Sequence, residues 1–172
     1  RVALALSGTP LVTFDAPPSN FVAPELVSEL HALVGVLEAD ADVKVVVFDS
    51  ANEAFFVSHF DLARAAEFPK LPDGGPMWTD MVLRLSKAPV VSIAAIRGRT
   101  RGGGDEFALA CDLRYASSSR ATFQQPAVGV GILPGGGASE RLPRLAGRDR
   151  ALEAILSSDD YDADTAERYG WV

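Results

Sequence analysis

The chain is poor in residue types on which whole classes of site depend. Cys111 is its only cysteine, and only two of its 172 residues are histidines. A single cysteine excludes an internal disulfide and any cysteine-cluster metal site. Two separated histidines would leave a transition metal dependent on scattered carboxylates. We therefore expect no bound metal, and we interpret Cys111, which lies among alanines and leucines, as a small core residue.

Positive charge is also scarce. The 16 lysines and arginines are outnumbered by 23 aspartates and glutamates, which gives a net charge of −7. This balance argues against nucleic acid or an anionic membrane as the main partner. The apolar opening, residues 1–6, is too short for a membrane span and lacks a signal-peptide cleavage pattern. We expect a cytoplasmic protein with one domain over residues 1–172.

Strand-like and helix-like patterns alternate along the chain. Strands are predicted at 2–6, 11–14, 42–48, 89–96, 113–116 and 121–123, with a turn over 7–10. Helices are predicted from Pro24 to about 37, from 61, and at 77–87, 107–111, 138–145, 148–156 and 162–169; prolines and glycines make 69–76 a loop. The alternation predicts an α/β fold with largely parallel crossovers.

Three consecutive glycines, 102–104, separate the strand at 89–96 from an apolar helix. Such a junction presents free backbone N–H groups at a positive helix end, which suits an oxyanion or a phosphate. Glu106 follows Gly103 by three residues, so its carboxylate should point to the space in front of those groups. On the glycines alone, a close packing turn with a solvent-facing Glu106 is the favoured explanation, because short glycine motifs are weak signals. Arg99 and Arg101 are interpreted as solvated surface charges.

Other chemistries fit the residues poorly. Ser58, His59 and Asp61 suggest a hydrolase triad, but neighbours in an extended segment point to opposite faces, and no Gly-x-Ser-x-Gly elbow is present. No P-loop occurs, and the glycines at 129–131 break the dinucleotide-binding pattern at its third glycine. An oxyanion site with Glu106 beside it therefore remains, and it suits a reaction through an enolate or a tetrahedral oxyanion.

Several motifs in order resemble the crotonase (enoyl-CoA hydratase/isomerase) superfamily. They are Asn20 and the segments 42–48, 56–62 (FVSHFDL), 87–98 (KAPVVSIAAIRG), 102–112 (GGGDEFALACD), 123–126 (FQQP) and 131–142 (GILPGGGASERL). The resemblance implies a spiral of ββα units, with the family's C-terminal helical portion missing after residue 172. It implies an acyl-CoA thioester substrate, no cofactor beyond the coenzyme A of that substrate, and a homotrimer or a dimer of trimers.

The resemblance also assigns roles to particular positions. The backbone N–H groups of Phe60 and Gly103 match the pair that holds the thioester oxygen, and Glu106 matches the first of two catalytic glutamates. The other matched positions are expected to bind substrate: Val57 and Ser58, whose carbonyls would meet the adenine, and Asp61, Leu62, Gly102 and Ala127.

Two departures from the family pattern bear on the reaction. The second glutamate should follow Gln125-Pro126, but Ala127 stands there, and Gly135 occupies the alternative acid position. His59 replaces a loop glycine, either as a substitute acid/base with a pKa near neutrality or as a bulky loop residue. We expect an enoyl-CoA hydratase/isomerase in which single-base isomerisation is easier than hydration. The alternative is a non-catalytic acyl-CoA-binding or assembly subunit of the same fold.

Overall fold

The structure is a computed structural model that describes the backbone of residues 2–5 and all of residues 10–172. The predicted turn at 7–10 falls largely outside these residues. The strands are β1 Val2–Ala5, β2 Leu11–Phe14, β3 Val45–Ser50, β4 Phe55–Val57, β5 Val91–Ile96, β6 Arg99–Arg101, β7 Leu113–Ala116, β8 Thr122–Gln124 and β9 Tyr161–Asp162. The helices are α1 Pro24–Ala39, α2 Met77–Leu85, α3 Gly103–Ala110, α4 Ala138–Ala146, α5 Arg148–Ser157 and α6 Ala163–Tyr169. Short 3₁₀ turns span Leu62–Glu67 and Val128–Val130.

Three successive ββα units build the centre of the molecule: β3-β4-α2, β5-β6-α3 and β7-β8-α4. The first strand of each unit joins a five-stranded sheet of order β1-β2-β3-β5-β7, and the second joins a four-stranded sheet of order β4-β6-β8-β9. Among the described strands, the pairs β1-β2 and β8-β9 are antiparallel, and the other five pairs are parallel. The predicted α/β spiral of ββα units is therefore confirmed.

Helix α3 is fixed to the first sheet by an aromatic contact. The Phe107 ring meets the rings of Phe14 and Phe48 edge-on, at centroid distances of 5.4 and 4.9 Å. All three side chains are buried, and edge-to-face pairs of this kind add to the stabilisation from apolar burial. Because Phe107 follows Glu106 directly, this contact also sets the position of the Glu106 backbone.

The segment before the glycines differs from the prediction. The strand at 89–96 does not lead directly into them, because β6 intervenes and belongs to the other sheet. Gly98 permits the crossing: a Cβ there would lie 2.7 Å from the backbone of Ala54. Arg99 is exposed as predicted, whereas Arg101 is half-buried and forms an ion pair with Asp160 at 2.6 Å, so its interpretation as a solvated charge was wrong.

The remaining differences are local. The third strand begins at Val45 rather than 42, and the predicted helix from 61 is a 3₁₀ turn with non-helical dihedrals at Arg64. Cys111 is buried among apolar side chains, as predicted, and burial raises the pKa of its thiol to about 12. No helix in the described part of the chain is long and apolar enough to cross a membrane.

Candidate active site

The ends of β4, β6 and β8 meet around a cavity of about 250 Å³. Its wall is formed by the loop after β4, the N-terminus of α3 and the loop that follows β8. A larger cleft of about 700 Å³ lies between α2, the end of α3 and α4, but Glu106 is not part of its wall. The smaller cavity is therefore the candidate active site.

Two glycines allow the loop after β4 to lie directly on α3. The N–H of Gly104 donates to the carbonyl of Ser58 at 3.0 Å, and a Cβ on Gly104 would lie 2.0 Å from the carbonyl oxygen of Val57. Gly102 has a φ of +48° and its N–H donates to Gln124 O. Only glycine adopts these conformations and contacts without strain. The glycines thus form a close packing turn at the helix start to which the oxyanion hypothesis refers.

The N–H groups of Phe60 and Gly103 remain available for a ligand. Val22 forms a β-bridge with this loop: its N–H donates to the carbonyl of His59, and its carbonyl accepts from the N–H of Asp61. These two hydrogen bonds do not use the N–H of Phe60. In the described part of the chain, no protein acceptor is paired with either the Phe60 or the Gly103 N–H. Both residues line the cavity.

Glu106 is buried in the cavity wall with its two oxygens in different surroundings. Its Oε1 accepts from the N–H of Gly136 at 2.6 Å and from the N–H of Ala138 at 3.3 Å. Its Oε2 has no protein donor among the described residues. Burial raises the pKa of Glu106, and the two backbone donors oppose that shift. Among the described residues, backbone donors therefore hold Oε1 and not Oε2.

The neighbouring carboxyl group, that of Asp105, faces away from the cavity. It is fully buried and accepts from Gln125 Nε2 at 2.6 Å and from Trp171 Nε1 at 2.9 Å. Burial raises the pKa of Asp105 to about 7, although both hydrogen bonds oppose the shift. The dipeptide 105–106 therefore supplies one carboxyl group to the cavity and one to the interior.

Most of the predicted site residues reach the cavity. Its lining includes His59, Phe60, Leu62, Gly102, Gly103, Glu106 and Ala127. Asp61 lies beside the lining, with its N–H bound to Val22 O. Val57 and Ser58 are not brought to the cavity, because their carbonyls pack against or accept from Gly104 beneath its wall.

The His59 ring is fixed at the edge of the cavity. Its Nδ1 lies 2.8 Å from the carbonyl oxygen of Phe60, and its ring packs on Phe21 with 5.0 Å between centroids. A carbonyl can only accept, so Nδ1 carries the proton. No hydrogen bond joins His59 to Ser58 among the described residues, in agreement with the rejection of a hydrolase triad.

Sequence reasoning missed the groups that hold the two carboxylates. Gly136 and Ala138 belong to the second glycine-rich loop, and their N–H groups fix Glu106 in place of solvent. Gln125 and Trp171 hold Asp105 from segments far apart in sequence. The clustered glycines at 135–137 were the only available signal. Within the described residues, no group of three His, Cys, Asp or Glu side chains is placed to hold a metal ion.

A ββα spiral whose glycine-rich helix start and preceding loop enclose a cavity defines a protein of the crotonase superfamily. The family model described as enoyl-CoA hydratase/isomerase matches residues 6–172. The chain belongs to this enoyl-CoA hydratase/isomerase family.

Individual relatives agree with that assignment. The short-chain-enoyl-CoA hydratase of Clostridium acetobutylicum is 35% identical over 165 residues, which are 94% of this chain and 63% of the relative. A crystal structure of a candidate enoyl-CoA hydratase from Streptomyces avermitilis has a TM-score of 0.94 and 46% identity, and the match covers 99% of this chain and 64% of that one. DspI of Pseudomonas aeruginosa has a TM-score of 0.89 and 34% identity, with 99% and 71% covered. The chain thus spans slightly less than two thirds of the first two relatives.

Proposed function

We propose that the protein acts on an acyl-CoA thioester whose carbonyl oxygen is held by the N–H groups of Phe60 and Gly103. This proposal is supported by the observation that Phe60, Gly103 and Glu106 all line one cavity, and that neither backbone N–H is paired among the described residues. Removal of a proton next to a thioester carbonyl places negative charge on the carbonyl oxygen. Backbone donors aimed at such an oxygen lower the barrier by about 3–4 kcal/mol for each donor.

Glu106 is the acid/base of the proposed reaction. Burial raises its pKa, which makes the carboxylate a stronger base. The Gly136 and Ala138 donors hold Oε1, so the carboxylate does not rotate out of position. Oε2 is then the reacting oxygen.

The cavity favours a one-carboxylate reaction. Glu106 is the only carboxylate among the described residues that line it, and Ala127 offers no proton-transfer group. Isomerisation of a 3-enoyl-CoA needs only one base. Glu106 removes the C2 proton, the electron pair moves toward the thioester oxygen and forms a dienolate, and the same carboxyl group returns the proton to C4. The product is a 2-enoyl-CoA, and the atoms balance without a water or a cofactor.

His59 has a supporting role in this proposal. Its Nδ1–H donates to the Phe60 carbonyl, so it fixes the loop that carries one oxyanion donor. Its Nε2 is then the acceptor nitrogen of the neutral ring. A homotrimer or a dimer of trimers, which the family resemblance implies, and the expected cytoplasmic location belong to the same proposal.

A second candidate function is acyl-CoA binding without turnover. Ala127 favours it, because a cavity that lacks the second carboxylate cannot hold a water between two acid/base groups. Both candidates use the same oxyanion donors, so they differ only in whether Glu106 transfers protons.

One experiment separates the two candidates. Conversion of a 3-enoyl-CoA is followed spectrophotometrically for the unmodified protein, Glu106→Gln and His59→Gln, while calorimetry measures acyl-CoA binding. We expect Glu106→Gln to lower kcat at least 1,000-fold and to retain binding, whereas His59→Gln should cost less than about tenfold. Unchanged turnover in Glu106→Gln refutes the catalytic assignment, and tight binding without turnover by the unmodified protein supports the second candidate.

A further inference from the structure

The indole of Trp78 is a buried donor without a protein acceptor. Trp78 lies on α2 and is 5% exposed, and its ring packs edge-on against Phe60 with 5.1 Å between centroids. Its Nε1 is inaccessible to solvent and is paired with no acceptor of the described chain. Buried polar groups are normally satisfied, so an unpaired indole N–H indicates a missing partner.

Gly136 shows where that partner lies. A Cβ on Gly136 would be 2.3 Å from Trp78 Nε1 and also 2.3 Å from Glu106 Oε2. The two atoms therefore face one point and are separated by at most twice that distance. A water oxygen needs about 2.7 Å to each hydrogen-bond partner, so no water fits at that point, and the indole N–H and the carboxylate oxygen are direct neighbours. The absence of a side chain on Gly136 allows this close approach.

We propose that the indole N–H of Trp78 is a positioning donor for Glu106, acting directly on Oε2 beside Gly136. The carboxylate then has a defined donor on each oxygen, Gly136 and Ala138 on Oε1 and Trp78 on Oε2. An indole N–H donates and never accepts, so this contact favours the ionised carboxylate and cannot compete with it as a base. Only the catalytic consequence of this contact rests on the proposed function.

The two tryptophans of the chain allow a direct test by NMR. Trp78 and Trp171 are its only indoles, so ¹⁵N-labelled protein gives two indole cross-peaks, assigned with Trp78→Phe. The Trp78 peak should shift with pH as Glu106 ionises, and that shift should disappear in Glu106→Gln. The Trp171 peak, whose N–H binds Asp105, should continue to titrate in the same variant. A Trp78 peak that does not move with pH, or that moves equally in Glu106→Gln, overturns the proposal.

A kinetic measurement tests the consequence for catalysis. Trp78→Phe removes the N–H and keeps an aromatic ring, so the acidic limb of the kcat/KM profile should move upward by roughly half a unit to one unit. We expect kcat to fall about tenfold with KM changed less than about twofold. Phe68→Leu is the control, because Phe68 also packs on the Phe60 ring at 5.4 Å and makes no contact with Glu106 that the structure shows; its acidic limb should stay in place. An unmoved limb in Trp78→Phe overturns the positioning role.

The two readouts separate this inference from the proposed function. The NMR titration requires no substrate and no turnover, so it stands even if the protein only binds acyl-CoA. Absence of activity in the unmodified protein together with a titrating Trp78 peak would refute the proposed reaction and support the contact. Activity together with a Trp78 peak that does not titrate would support the proposed reaction and refute the contact.

Discussion

Replacing Asp105 with Asn should remove a pH dependence of stability that the unmodified protein shows between about pH 4 and pH 7. Asp105 is fully buried, and its pKa is raised from 3.8 to about 7 by burial. The folded state therefore keeps the proton where the unfolded state has lost it. The stabilisation is complete below the unfolded pKa, declines as the pH rises toward the folded pKa, and is absent above it.

The size of the effect follows from the two pKa values. The two pKa values differ by about 3 units, and each unit corresponds to about 1.4 kcal/mol. Between pH 4 and pH 7, the free energy of unfolding of the unmodified protein should therefore fall by up to about 4 kcal/mol relative to that of Asp105→Asn. The amide fits the site after one local change. Gln125 Nε2 donates to Asp105, and Gln125 Oε1 is buried without a donor in the described chain, so a flipped Gln125 amide can accept from Asn at position 105.

Urea unfolding at intervals from pH 4 to pH 8 measures this difference. The free energy of unfolding of Asp105→Asn minus that of the unmodified protein should rise through the range, since most other titrations cancel. Asp162→Asn is a control without such a rise: hydrogen bonds from Thr165 lower the pKa of Asp162 below its ordinary value of 3.8, so the stability difference between this variant and the unmodified protein changes mainly below pH 4 and should stay nearly constant from pH 4 to pH 8. A difference for Asp105→Asn that stays constant with pH would show that this carboxyl group ionises normally, and the reasoning would be wrong.

Two further substitutions test the junction and the missing glutamate. Gly104→Ala would place a Cβ 2.0 Å from Val57 O, so we expect the free energy of unfolding to fall by at least about 2 kcal/mol and Tm by roughly 4–8 °C. Gly35→Ala on α1 is the control, because its Cβ would lie 3.5 Å from Arg84, and it should be neutral or stabilising. Equal effects of the two variants in calorimetry would contradict this account. Ala127→Glu should raise hydration of a 2-enoyl-CoA at least tenfold over Ala127→Gln, because only the carboxyl group transfers protons; equal rates in folded variants would show that the lost glutamate is not limiting.

The periodic elements and the family were accessible from the sequence, because apolar spacing and ordered motifs are local signals. The stripe from Leu26 to Leu37 predicted α1, and the glycines with Glu106 predicted the helix start. Strand β6 was not predicted, since its three residues carry two arginines and a threonine. Thr100 is nonetheless fully buried at the centre of that strand, which only the neighbouring β4 and β8 determine.

The partners of the functional groups were less accessible. That Glu106 is held by Gly136, thirty residues further along, depends on the path of a loop that composition does not determine. The roles of Trp78 and Trp171 are equally long-range. Ala127 lies in the cavity wall, and the carbonyls of Val57 and Ser58 contact Gly104; their roles in substrate binding stay predictions.

The hydrogen bond from Trp171 to Asp105 links the candidate active site to the cooperativity of unfolding. Trp171 follows α6 and is completely buried, while Asp105 is adjacent to Glu106 in the first turn of α3. Detachment of residues 161–171 would open the interior beside residues 105–106 and disturb both carboxyl groups at once. Amide hydrogen exchange in α6 and in the first turn of α3 should therefore report one shared opening event, so that loosening a remote helix alters the Glu106 carboxylate without any contact between them.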